Sequence, residues 1–99
     1  MEIYEDNLAF SADAPFFRGH FPGYPVTPGV VLIGRAVEVA ERMVGQRIVL
    51  KGIKKVKFSQ PVLPGEMVGL LLERRGDGEI AYRFSKGESI CASGTLCLS

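Results

Sequence analysis

Apolar and polar positions change their rhythm along this chain, and each change marks an element. From Glu2 to Ala9 the two kinds alternate loosely, enough for one short strand. Between Val30 and Val44 the alternation stops. Val30 to Ile33, Ala36, Val37, Val39, Ala40, Met43 and Val44 cover nearly the whole circumference of a helix, so the pattern predicts burial on most sides. Thr27 suits the N-cap, Pro28 the first helical position and Gly45 the C-terminal stop. The polar exceptions Arg35, Glu38 and Arg42, with Gly34, recur at helical spacing and form one narrow strip. Afterwards the residues become β-branched, aromatic and alternating. Strands are expected over Arg47 to Phe58, Met67 to Arg75, Glu79 to Ser85 and Glu88 to Leu98. Pro61, Pro64-Gly65, Gly76-Asp77-Gly78 and Lys86-Gly87 supply the turns. In the last strand Ile90, Ala92, Gly94, Leu96 and Leu98 should share one face and Cys91, Ser93, Thr95 and Cys97 the other. One strand, one buried helix and four antiparallel strands imply an α+β domain whose sheet curls around the helix.

The stretch from Phe16 to Gly29 fits neither rhythm. Pro22, Pro25 and Pro28 fall three apart with Gly19, Gly23 and Gly29 among them, which forbids regular structure and gives a stiff, shaped loop. Composition then narrows the class. A chain of 99 residues, 46% apolar and 23% charged, is expected to be one globular domain over 1–99. A net charge of +1 lacks the basic footprint of a nucleic-acid binder. No apolar run reaches the roughly 18 residues a membrane helix needs, and the acidic start is the wrong charge for a signal peptide, so a cytoplasmic protein is expected. A single histidine and two cysteines leave no metal-ligand set.

The loop also carries a signature. Phe16-Phe17-Arg18-Gly19-His20-Phe21-Pro22-Gly23-Tyr24-Pro25-Val26-Thr27-Pro28-Gly29-Val30 closely resembles the F-F-x-G-H-F-P-G-x-P-V-x-P-G-V motif of the hot-dog-fold β-hydroxyacyl-[acyl-carrier-protein] dehydratases. Ile53 to Glu66, with Lys55-Val56-Lys57-Phe58 and Pro61-Val62-Leu63-Pro64-Gly65, is similar to their K-V-K-F-x-x-P-V-x-P-G-D segment. The resemblance extends from about Phe10 to Leu98 and, with little chain before the first motif, implies a minimal member. It implies a hot-dog fold, with the antiparallel sheet wrapped around one long central helix, and active sites at a dimer interface. The substrate would be an acyl thioester on the phosphopantetheine of an acyl carrier protein or on coenzyme A, with no other cofactor. The partner would be a second hot-dog chain in a homodimer or heterodimer.

Removing water from a β-hydroxyacyl thioester requires a base for the α-proton, a donor for charge on the thioester oxygen, and an acid for the departing hydroxyl. An imidazole suits the first role, and His20 is the candidate base. A helix N-terminus suits the second: its amides point outward, and Gly29 lets an oxygen approach its N–H without a side chain in the way. The resemblance assigns the same contact to Gly29. Phe21, Val26, Val30, Gly34 and Phe58 complete the expected acyl-binding set, and Val31 and Ile33 could line it too.

The third role is where the chain departs from its family. The resemblance places the catalytic carboxylate fourteen residues after the histidine, and that position is Gly34. Glycine in a helix costs about 1 kcal/mol relative to alanine, so a close contact or room for substrate is expected there. Glu38, one turn further on, is a candidate acid or water-binding residue; its spacing from Arg35 and Arg42 equally suits ion pairs. Three alternatives stay open: His20 performing both proton transfers, a hot-dog thioesterase using Glu38, and a non-catalytic acyl-binding subunit of a heterodimeric dehydratase. The lysines Lys51, Lys54, Lys55 and Lys57 suit either a solvated strand edge or the docking of an acidic carrier protein.

Overall fold

Alternating apolar residues in β3 (Val68–Arg75), β4 (Glu79–Lys86) and β5 (Ser89–Leu98) place Val68, Leu70, Leu72, Ile80, Phe84 and Leu96 on one face of a sheet, where all six are buried. The computed structural model describes residues 3–10, 29–76 and 78–99. It adds β1 (Ile3–Leu8), the helix α1 (Gly29–Val44) and β2 (Leu50–Phe58). All pairings are antiparallel, in the order β1-β3-β4-β5-β2, so β1 and β2 are the edges. The inner face forms one core with Leu32, Ala36, Val39 and Ala40 of α1. Burying each large side chain there stabilises the fold by about 1.5–3 kcal/mol. The α+β arrangement and the four late strands are as the alternation predicts, with ends shifted by a few residues.

The helix ends as expected. Gly45 adopts φ +77° and its N–H bonds the Glu41 carbonyl at 2.8 Å. The Glu41 carboxylate accepts the Ile48 N–H at 2.9 Å, steering the chain toward β2. Burial around α1 corrects the expectation. Within this chain only the stripe Leu32, Ala36, Val39 and Ala40 is fully covered, while Val31, Ile33, Val37, Met43 and Val44 are half-buried and Val30 is 75% exposed. The sheet of one chain covers one side of its helix and leaves the flank open.

Two strands break their period. Between Phe84–Ala92 and Ser85–Ile90 the β4–β5 register slips by one residue, so Cys91 is the extra residue of a bulge. Cys91 and Ala92 are therefore both buried and Ile90 is 44% exposed, contrary to strict alternation. In β2 the register slips twice, and Lys55 takes a left-handed φ of 57°. The strand is exposed along most of its length, and Lys54 pairs with Glu79 across the sheet. On the inner face the Tyr82 ring lies over Gly94, where an added Cβ would stand 2.5 Å from the hydroxyl. Among the described residues that buried hydroxyl has no hydrogen-bond partner, and burial pushes its pKa up.

Candidate active site at the start of the helix

The first residue of α1 meets the last residue of β2. An added Cβ on Gly29 would lie 2.5 Å from the nearest ring carbon of Phe58, so only glycine accepts the ring this closely. Beneath the ring is a largely apolar cavity of about 310 Å³ lined by Gly29, Leu32, Phe58, Ser59, Gln60, Pro61 and Val62. The sequence thus brings Gly29 and Phe58 together from positions far apart in the chain.

The segment after Phe58 forms the cavity's outer wall, and hydrogen bonds fix it despite its lack of regular structure. The Cys91 carbonyl, turned out by the β5 bulge, accepts the Ser59 and Gln60 N–H groups at 2.7 and 3.2 Å. Gly65 N–H reaches the Phe10 carbonyl at 2.8 Å. Leu63 N–H donates to Glu66 Oε1 at 2.8 Å, and Lys86 Nζ donates to the Pro61 carbonyl at 3.0 Å and to Glu66 at 3.2 Å. The Leu63 amide, followed by Lys86, holds the Glu66 carboxyl below the usual carboxylate range against the opposing effect of desolvation.

A larger groove of about 650 Å³ runs over the opposite face of the sheet, with Lys55, Lys57, Arg75 and Arg83 around Leu71, Ala81 and Thr95. It contains neither Gly29 nor any other residue of α1. Size alone does not make it the reaction site. The smaller cavity opens on a helix start, where amides point outward and the positive end of the macrodipole favours developing negative charge.

Of the residues singled out in the sequence, His20, Phe21 and Val26 lie outside the described residues, as does the loop that carries them. Val30, Gly34 and Glu38 are exposed and are not among the residues lining the cavity. No close contact explains Gly34: among the described residues an added Cβ would meet nothing within 4 Å, so of the two expectations there the close contact is absent and open room is what is found. Glu38 pairs with Arg35 at 3.3 Å, at the spacing that suits an ion pair. The Arg35 guanidinium in turn lies 5.2 Å from the centre of the Phe10 ring. Leu32, the wall residues Ser59, Gln60, Pro61 and Val62, and the Glu66–Lys86 pair were not singled out as site residues. The wall follows directly on Phe58 in the second motif, which is the signal that locates it.

The family comparison matches residues 3–95 to the ApeI-like family, described as ApeI dehydratase. The 3-hydroxyacyl-[acyl-carrier-protein] dehydratase FabZ of Alkaliphilus metalliredigens is 37% identical over 97 residues, covering 87% of this chain and 66% of that protein. The FabZ of Streptococcus sanguinis is 35% identical over 113 residues, covering 97% of this chain and 79% of that protein. Among solved structures, the dehydratase heterocomplex ApeI:P from Xenorhabdus doucetiae aligns with a TM-score of 0.87 and 25% identity over 97% of this chain and 86% of that one. An acyl-CoA hydrolase from Staphylococcus aureus shares the fold at a TM-score of 0.64 and 16% identity, covering 97% of this chain and 61% of that one. The family match thus runs from β1 into β5 and takes in both the helix start and the wall beside it. This chain belongs to the ApeI-like family of hot-dog dehydratases.

Proposed function

We propose that the protein removes water from a β-hydroxyacyl thioester to give the trans-2-enoyl thioester, at the cavity beneath Phe58. The observation that carries this reading is the glycine-started helix opening on an apolar cavity, within a chain matched to dehydratases over residues 3–95. Neutral His20 takes the α-proton, the electron pair forms the Cα–Cβ double bond, and the β-carbon–oxygen bond breaks. The Gly29 N–H donates to the thioester oxygen as charge develops on it, a contact worth about 3–4 kcal/mol where such donors have been removed. Phe58 and Leu32 hold the start of the acyl chain and Val62 in the Pro61–Leu63 wall its distal part, with Phe21, Val26, Val30 and Gly34 extending the surface. The FabZ relatives are named for acyl-carrier-protein substrates, which supports a phosphopantetheine-borne acyl group here; the chain itself would need no cofactor.

With glycine at position 34 and Glu38 engaged by Arg35, His20 returns the abstracted proton to the hydroxyl, which leaves as water. A second reading is favoured by the same vacancy together with the heterocomplex formed by the ApeI relative: another hot-dog chain supplies the missing acid. Mass spectrometry of a 3-hydroxyacyl carrier protein incubated with the purified chain decides among these. The proposal expects loss of water, with His20→Ala slowing it by about 10²–10⁴-fold. Turnover only after addition of a second hot-dog chain would establish the partner-subunit reading. Release of free carrier thiol without an enoyl product would replace dehydration by Glu38-assisted hydrolysis.

A further inference from the structure

The segment that walls the cavity is pinned at its two ends by backbone bonds to Cys91 and Phe10, and its middle is held by a single side chain at the end of β4. Lys86 Nζ reaches the Pro61 carbonyl at 3.0 Å and both oxygens of Glu66 at 3.2 and 3.3 Å. Glu66 completes the circuit by accepting the Leu63 N–H at 2.8 Å, so the backbone on both sides of Val62 is held through one ammonium and one carboxylate. Val62 is 1% exposed and lines the cavity with Pro61 and Leu32. An exposed ion pair contributes little by itself, about 0–1 kcal/mol of stability in measured cases. This pair differs in kind, because both partners also bond backbone groups of the wall and both are partly buried.

We propose that Lys86 and Glu66 form a positioning latch that fixes the Pro61–Leu63 wall over Leu32 and so sets how firmly the cavity holds the distal part of an acyl chain. The inference rests on the dehydratase reading for its ligand, but not for its geometry. Neither residue touches the reacting atoms, so the latch acts on substrate fit and leaves the proton transfers to the site itself. A short acyl group that does not reach the wall is indifferent to it, whereas a long one loses contact when the wall loosens.

The test compares Lys86→Met and Glu66→Gln with wild type in two ways. Glu66→Gln keeps an acceptor for the Leu63 amide while removing the charge, which guards against a Lys86→Met protein that fails to fold. By hydrogen exchange, the Leu63 amide should exchange about tenfold faster in Lys86→Met, with the β3 and β4 amides unchanged, as expected for a local opening. With pantetheine thioesters, KM for 3-hydroxydecanoyl substrate should rise about fivefold while KM for 3-hydroxybutanoyl substrate and kcat for both stay within about twofold. Lys86→Arg, which keeps the donors, should restore wild-type values. Unchanged Leu63 exchange in both variants, or an equal rise in KM for both thioesters, overturns the latch. If the wild-type protein turns over neither thioester, the dehydratase reading fails, and the Leu63 exchange alone still decides whether the latch holds the wall.

Discussion

Two glycines in this molecule each carry an aromatic ring where a Cβ would stand, and they serve opposite purposes. Gly94 lies beneath Tyr82, which is 2% exposed and sealed into the inner face of the sheet. Gly29 lies beneath Phe58, which is 55% exposed at the end of an edge strand. At 2.5 Å each, the steric demand is the same; the freedom of the ring to yield is not. Tyr82 is buried beside Phe84, and a displaced ring must push into close-packed core side chains. Around Phe58 there is solvent on one side and a cavity on the other. Close packing in the first case specifies the fold. In the second it gives a helix start a half-exposed apolar cover, and Val30 and Val56, close in sequence to Gly29 and Phe58, are also left uncovered.

The largest expected effect is on the sealed side. Phe84→Ala should cost about 3–5 kcal/mol by denaturant unfolding, since Phe84 is fully buried and packs edge-on against Tyr82 at 6.1 Å. Gly94→Ala should follow at about 1–3 kcal/mol, because overpacking forces Tyr82 out of place. Gly29→Ala sharpens the contrast. Its unfolding free energy should fall by less than about 1 kcal/mol, because the half-exposed Phe58 ring yields, while dehydration slows through misplacement of the helix-start amide. A Gly29→Ala protein destabilised as strongly as Gly94→Ala would show that the two rings are equally locked. Gly34→Ala should stabilise by about 0.5–1 kcal/mol, since the added methyl enters open space on a helix.

The smallest effect concerns pH. The folded-state pKa of Glu66 is depressed from its ordinary 4.5, so its contribution is present above that value and is lost as pH falls through the lowered one. Leu63 amide protection, corrected for intrinsic exchange, should therefore be flat at neutral pH and decline only in acid. Glu66→Gln should remove that dependence.

Much of this arrangement is legible from local sequence. The proline and glycine punctuation after β2, the cap at Gly45 and the alternation of β3 and β4 depend on neighbours a few residues away, and they place these elements correctly. The Arg35–Glu38 pair also follows from helical spacing. The unpredicted features are non-local. The Cys91 bulge depends on β5 serving the wall through its carbonyl as well as β4 through its ladder, and no alternation rule encodes two partners. The Lys86–Glu66 contact joins residues 20 apart through a turn whose course only the folded chain defines. One-sided burial of α1 is not legible in the sequence, because an apolar circumference says how much surface must be covered, not that a single chain covers it.

The central claim is that the cavity beneath Phe58, and not the larger groove on the opposite face, receives the acyl thioester. Amide chemical shifts measured while titrating ¹⁵N-labelled protein with decanoyl-pantetheine test this directly. The account predicts that the shifts concentrate at Gly29, Leu32, Ser59 and Val62 while Leu71, Ala81 and Thr95 stay still. Shifts confined to Leu71, Ala81 and Thr95 would contradict it.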